Sequence, residues 1–148
     1  MIFVTVGTTK FDSLIMEVDR LTGAGFLKNV TCQIGSGSYI PDHCEHFRFL
    51  PNIDDYLEKA ELVITHGGTT VLNMLGEEKR FVAIANTVLA DDHQTSYLQH
   101  IYKYAPIHWT RDVLDIEELI AAALSQPPPK INMPSLPQEI DRLIMTLN

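Results

Sequence analysis

Leu62-Val-Ile-Thr-His-Gly-Gly-Thr-Thr-Val-Leu-Asn-Met-Leu75 reads as a short buried strand, a glycine pair and the opening turn of a helix. A strand that enters a helix through glycines aims unpaired backbone N–H groups at one point, where the helix dipole is also positive. Such a nest binds a phosphate without any basic side chain. Farther along, a polar loop begins at Asn86 and ends in Asp91-Asp-His-Gln94. In an alternating α/β chain that loop returns to the same edge of the sheet. Nest and loop together point to a nucleotide site, and to a sugar nucleotide in particular.

Outward from this stretch, apolar runs of strand length alternate with segments of helical period. Strands are expected over residues 2–6, 30–34, 47–50, 62–65, 81–85 and 107–109. A helix capped by Asp12 or Ser13 should run to about Leu21, and another should run from Pro51-Asn52 to about Lys59. Further helices are expected from Thr69 to about Glu77 and from Asp92 onward, the latter packing through Tyr97, Leu98, Ile101 and Tyr102. Asp115 should cap a last one over 116–124. The strands are continuously apolar and do not alternate, which predicts a parallel sheet covered on both faces. Right-handed crossovers then give a doubly wound, Rossmann-like α/β fold.

That domain is expected to span residues 1–126. Residues 127–137 contain Pro127-Pro-Pro129, Pro134 and Pro137 and should form an extended, polyproline-like spacer. Residues 138–148 carry Ile140, Leu143, Ile144 and Leu147 at helical spacing. This amphipathic helix either docks on another subunit or folds back on its own core, and the sequence leaves both open.

Composition removes several classes. The 148 residues are 45% hydrophobic and 20% charged, which is a globular balance. A net charge of −8 argues against a nucleic-acid binder, because backbone phosphates would be repelled. It does not exclude a nucleotide held by backbone amides. Two cysteines, Cys32 and Cys44, cannot build a disulfide framework and fit a reduced, cytoplasmic setting. Residues 1–6 lack the basic start of a signal peptide, and no apolar run approaches the roughly 20 residues of a membrane span. A soluble chain is expected, with any membrane role coming through a partner or a surface contact.

The motifs each admit a plainer reading. The glycines of Thr65-His-Gly-Gly-Thr-Thr70 serve either a ligand or only the geometry of a tight βα turn. Neither G-x-G-x-x-G nor a P-loop lysine is present, which disfavours dinucleotides and NTPase chemistry. His66, at a strand's C-terminal end, either lies near a phosphate or reacting sugar or caps the turn. Gly7-Thr-Thr-Lys10 follows the first strand at the same edge. There the Gly7 and Thr8 backbone can face a ligand, while Lys10 offers a point charge or stays solvated. Gly35-Ser-Gly-Ser38 is a third loop at that edge. Asp92 and Gln94 can hold sugar hydroxyls, although Asp92 also fits a helix N-cap. His43-Cys-Glu-His46 lacks the two-pair spacing of a zinc site, and no D-x-D triplet exists to hold a metal with a sugar diphosphate. A metal-independent site, with amides stabilising the leaving diphosphate, is consistent with that.

These residues resemble a known family. Ile2-Phe-Val-Thr-Val-Gly-Thr-Thr-Lys-Phe-Asp12 is similar to the start of the small subunits of two-component UDP-sugar transferases. That group includes the N-acetylglucosaminyltransferase subunit of dolichol-linked glycan assembly and bacterial exopolysaccharide glycosyltransferase subunits. Ala60-Glu-Leu-Val-Ile-Thr-His-Gly-Gly68 resembles the family's strand and glycine turn, and Asn86 with Asp91-Asp-His-Gln94 resembles its polar loop. The resemblance covers about residues 1–100 and is to the C-terminal domain of family 28 glycosyltransferases, the donor half of a GT-B fold.

The resemblance implies a UDP-sugar substrate, inverting transfer to a lipid-linked saccharide acceptor, and no metal or other cofactor. Gly67, Gly68, Thr69 and Thr70 would hold the diphosphate. Asn73, Asp92 and Gln94 would hold ribose or sugar hydroxyls, with Asn86 in the same loop, and His66 would stand near the leaving diphosphate. It implies a membrane-anchored, acceptor-binding partner subunit that recruits the chain to the cytosolic face and supplies the catalytic base. The chain departs from the pattern at Asn73, where the family carries glutamate, at Glu78-Lys-Arg80 in place of Gly-Lys-Pro, and at Ala85 in place of proline. Those departures favour an alternative, a non-catalytic nucleotide-binding or stabilising subunit. A free-standing nucleotide-binding homo-oligomer is the third reading.

Overall fold

The computed structural model describes residues 1–88 and 92–131. Within them the chain runs β1 (Ile2–Thr5), α1 (Asp12–Gly23), β2 (Val30–Gln33), β3 (Glu45–Phe47), α2 (Asp54–Lys59), β4 (Leu62–His66), α3 (Thr70–Gly76), β5 (Phe81–Ile84), α4 (His93–Tyr102), β6 (His108–Thr110), a 3₁₀ turn (Val113–Asp115) and α5 (Ile116–Ser125). The strands form one sheet in the order β3-β2-β1-β4-β5-β6. Every pairing is parallel, with Ile2 level with both Val30 and Leu62. This is the expected doubly wound α/β sheet.

The central strands β1, β4 and β5 are apolar over nearly their whole length because each face has its own core. Ile2, Val4, Cys32, Leu62, Ile64, Val82 and Ile84 point to one side, where Leu14, Ile15, Val18 and Leu21 of α1 and Ile116, Ile120 and Ala123 of α5 cover them. Phe3, Val63, Phe81 and Ala83 point to the other side, against Leu57 of α2, Val71, Met74 and Leu75 of α3, and Tyr97, Leu98 and Ile101 of α4. The period-two alternation of a strand thus appears as two buried faces, with no polar face between them. Phe3 stacks on Tyr56 at 5.0 Å between ring centres, and Phe47 lies 5.2 Å from the same ring. That contact ties the edge strand to α2.

The boundaries differ from expectation where tertiary contacts intervene. The third strand is Glu45–Phe47, not 47–50, because these residues pair with Thr31–Gln33 on an exposed edge. Apolar Phe49, which drew the expectation, is 57% exposed. The next helix starts at Asp54, since the Asn52 side chain accepts from the Asp54 N–H at 2.8 Å and holds a turn there. Tyr102, expected on the packing face of α4, is exposed.

Two expected caps serve other segments. Asp12 accepts from the Ser38 and Tyr39 amides, at 3.1 and 3.3 Å to Oδ1. Asp115 accepts from the Thr110 hydroxyl at 3.0 Å, and Asp112 caps the 3₁₀ turn by accepting from Leu114 N. After α5 the chain has no regular structure as far as Ile131. Arg80 Nε donates to Gln126 O at 3.0 Å, and Pro129 is buried. The rest of the spacer expected over 127–137, and the helix expected over 138–148, lie outside the described residues. No described helix is long and apolar enough to cross a membrane.

Candidate functional site

All strands are parallel, so the exits of β1, β2, β4 and β5 share one edge. Strand order runs outward in opposite directions from the β1–β4 pair. The crevice outside the C-terminal ends of those two strands is therefore the topological switch point, where open α/β sheets bind ligands. Gly7 leaves β1 into this crevice, and His66, Gly67 and Gly68 leave β4 into it.

Backbone pairing aligns the two exits: Thr5 lies level with Thr65, and the Thr65 hydroxyl donates to Thr5 O at 3.1 Å. The Gly7 N–H donates to the Thr5 hydroxyl at 3.2 Å, and the Thr9 hydroxyl donates to Val6 O at 2.8 Å. The turn after β1 is thereby fixed, with Thr8 exposed at its tip. The glycines of the β4 turn answer to close approach. A Cβ added to Gly68 would lie 2.8 Å from His66 Cε1, and one added to Gly67 would lie 2.9 Å from Gln94 Cβ. A Cβ on Gly7 would sit 3.6 Å from His66 Nε2, so the imidazole fills the space between the two exits.

Gln94, in the first turn of α4, joins the pieces. Its Oε1 accepts from Gly67 N at 3.0 Å and from Asn86 N at 2.8 Å, and its Nε2 lies 2.9 Å from His66 Nδ1. Asn86 in turn donates from Nδ2 to Lys10 O at 2.9 Å. One chain of hydrogen bonds thus runs from the β1 loop through the β5 exit and α4 to the β4 turn. Burial pushes the His66 imidazole below its usual pKa, so it is neutral at pH 7. Beside Asn86 a cavity of about 260 Å³ opens, lined by Lys10, Phe11, Asp12, Ser13, Asn86 and Val88.

The amide inventory of the turn is narrower than the sequence implied. Gly67 N is taken by Gln94, and Gly68 N donates to His66 O at 2.9 Å. The Thr69 and Thr70 N–H groups have no hydrogen-bond partner among the described residues. Of the expected site residues, Gly7, His66, Gly67, Gly68, Asn86 and Gln94 are brought together, with Thr69 and Thr70 on the same turn.

Three others stand apart. Asn73, exposed on α3, lines a separate cleft of about 400 Å³ with Asp54, Leu57, Glu58 and Glu77. Asp92 stands at the N-cap position with φ 50°, but its carboxylate accepts from the Thr95 hydroxyl at 2.6 Å and from Arg111 at 3.4 Å, not from a helix amide. Thr8 is exposed beside Gly7 and makes no hydrogen bond to the cluster among the described residues. Gln94 was expected to face sugar hydroxyls, yet it is buried and its oxygen is fully engaged by protein amides.

The sequence reading missed how the third loop is held. Arg48 donates to Gly35 O and Gly37 O, at 3.1 and 2.7 Å, and Asp12 closes the other side. Gly35 has φ +59° with Thr9 O only 2.0 Å from an added Cβ, so the loop is wedged against the β1 turn. Among the described residues no group of three or more potential metal ligands exists, and the His43 N–H donates to Asp19 at 2.7 Å.

Residues 1–125 match the glycosyltransferase family 28 C-terminal domain. The chain belongs to this family. Curated relatives agree with it. The human UDP-N-acetylglucosamine transferase subunit ALG13 is 29% identical over an alignment of 116 positions, which covers 69% of this chain and 10% of that protein. Its mouse counterpart is 30% identical over 115 positions, covering 68% and 10%. The Candida albicans subunit of the same name is 34% identical over 58 positions, covering 38% of this chain and 20% of that protein. The chain therefore spans about a tenth of the length of the mammalian relatives it matches. The family 28 domain matched here includes the whole sheet and all the strand exits that form the crevice.

Proposed function

We propose that the chain is the donor-binding subunit of a heteromeric, inverting glycosyltransferase that moves a sugar from a UDP-sugar to a lipid-linked acceptor. The observation that carries this reading is the crevice at the β1–β4 switch point of a family 28 domain. It is lined by Gly7, Gly67 and Gly68, with His66 Nε2 and the Thr69 and Thr70 amides at its rim. A diphosphate in that position accepts hydrogen bonds from donors already fixed by the fold. The mammalian relatives are UDP-N-acetylglucosamine transferase subunits by name, which makes UDP-N-acetylglucosamine the first donor to try.

In this scheme the acceptor hydroxyl attacks the anomeric carbon on the face opposite the diphosphate. The bond from that carbon to the phosphate oxygen breaks, and the electron pair leaves with UDP. The amides and the imidazole act on the charge that develops on that oxygen, which is where fixed donors accelerate a reaction. In this proposal the base that takes the acceptor's proton belongs to a membrane-anchored partner subunit carrying the acceptor half. No metal takes part.

The alternative, a stabilising subunit without turnover, draws on Asn73. Its side chain lines the α2–α3 cleft with Asp54 and Glu58, and among the described residues only its backbone N–H, donating to Thr69 O at 3.4 Å, reaches the turn at the crevice. Transfer of labelled N-acetylglucosamine from UDP-N-acetylglucosamine to membrane lipid decides between them. The assay takes the full chain together with its acceptor-half partner. Product that needs both proteins supports the proposal, and no product from any UDP-sugar overturns it.

A further inference from the structure

Gln94 decides the protonation pattern of His66. Backbone N–H groups can only donate, and two of them, from Gly67 and Asn86, converge on one atom of the Gln94 amide at 3.0 and 2.8 Å. That atom must be the carbonyl oxygen, because a flipped amide would set an NH₂ group against two donors. The other amide atom is therefore the nitrogen, which carries only hydrogens. It stands 2.9 Å from His66 Nδ1, so Nδ1 accepts. A neutral imidazole that accepts at Nδ1 holds its proton at Nε2.

We propose that Gln94 is a positioning residue that fixes His66 as the Nε2–H tautomer and so presents a hydrogen-bond donor between Gly7 and Gly68. Nε2 lies 3.6 Å from a Cβ added to Gly7 and 3.1 Å from one added to Gly68, and it has no partner among the described residues. The glycines leave open the volume into which this N–H points. The group it serves is an oxygen acceptor, a phosphate oxygen or a sugar hydroxyl. His66 in this state cannot act as a base through Nε2, since that nitrogen is already protonated. The tautomer follows from hydrogen bonding alone. The identity of its acceptor as a nucleotide oxygen rests on the proposed donor site.

The test is ¹⁵N NMR of the full, uniformly labelled chain at neutral pH, with the His66 ring signals assigned by their loss in His66→Gln. The expected result is the shift of an unprotonated nitrogen at Nδ1 and of a protonated nitrogen at Nε2. In Gln94→Glu both backbone amides keep an acceptor, but the second carboxylate oxygen can only accept from the ring. Nδ1 should then acquire the protonated shift. A proton on Nδ1 in the unaltered chain, or an Nδ1 signal unchanged in Gln94→Glu, overturns the proposal. The first of these outcomes needs no variant to fold. Adding UDP should move the Nε2 signal while Nδ1 stays unprotonated. An Nε2 signal indifferent to UDP, with the partner subunit present as well as without it, overturns the donor-site reading and leaves the tautomer assignment standing.

Discussion

Replacing Gln94 by methionine keeps the length of the side chain and removes its hydrogen bonding. Two backbone N–H groups lose their acceptor together, those of Gly67 and Asn86, and both residues are buried, Asn86 to 2% exposure. A buried donor left without a partner costs about 1–3 kcal/mol. Two of them, with the thioether volume nearly conserved, give an expected loss of roughly 2–6 kcal/mol. That is a large share of the about 5–15 kcal/mol that holds a domain folded. In urea, with a slope of about 2 kcal/mol per molar, the midpoint should fall by about 1–3 M at unchanged slope. Gln94→Glu, which keeps the acceptor, should fall less than Gln94→Met. Equilibrium unfolding followed by circular dichroism measures both. A loss below about 1 kcal/mol in Gln94→Met would show that the turn and the β5 exit do not depend on this side chain, and the account of the site would fail.

Three further outcomes are expected. Gly68→Ala places a Cβ 2.8 Å from His66 Cε1 and must displace the ring, so UDP affinity measured by calorimetry should fall at least about tenfold, or 1.4 kcal/mol. Burial lowers the His66 and His108 imidazoles, so the unfolded chain binds more protons than the folded one as pH falls through about 6.5. Stability should therefore decrease from pH 7 downward, and His66→Gln should flatten part of that slope in unfolding titrations. Burial alone would raise the Asp19 carboxyl, but the Tyr39 hydroxyl and the Asp42 and His43 amides outweigh it and lower it. Its contribution is present above about pH 4 and lost as pH falls through the folded value; Asp19→Asn should remove that acid-side dependence and loosen the loop that Asp42 and His43 begin.

The sheet was legible because its physics is local. Runs such as Phe81–Ile84 are apolar on both sides, and only a parallel strand with helices on each face needs that. The β4 turn was legible for the same reason, as an apolar run stopped by two glycines. Glu45–Phe47 was not, because an exposed edge strand carries little apolar signal and its place depends on pairing with Thr31–Gln33. Asp12 and Asp115 look like caps in the sequence and are not, since their partners lie in other loops.

The site divides in the same manner. That Gly7, His66, Gly67 and Asn86 lie at one edge follows from parallel strands, which the alternation of elements predicts, and that they meet follows from the order β1-β4-β5 seen in the structure. That Gln94 turns inward depends on acceptor-seeking amides 27 and 8 residues away in sequence, and spacing carries no trace of them. Asn73 shows the opposite failure. Its place in the sequence suggests the crevice, while its position on α3 puts it in the cleft beside α2.

The central claim is that the β1–β4 crevice binds a uridine diphosphate sugar. Titration of the ¹⁵N-labelled chain with UDP, UDP-N-acetylglucosamine, UDP-glucose and ADP, read residue by residue, tests it most directly. The account predicts saturable shifts at Gly7, His66, Gly67, Gly68, Thr69 and Thr70 with the uridine ligands, and weaker shifts with ADP. Saturable shifts confined to other surfaces, or none with any uridine ligand even when the partner subunit is present, would contradict it.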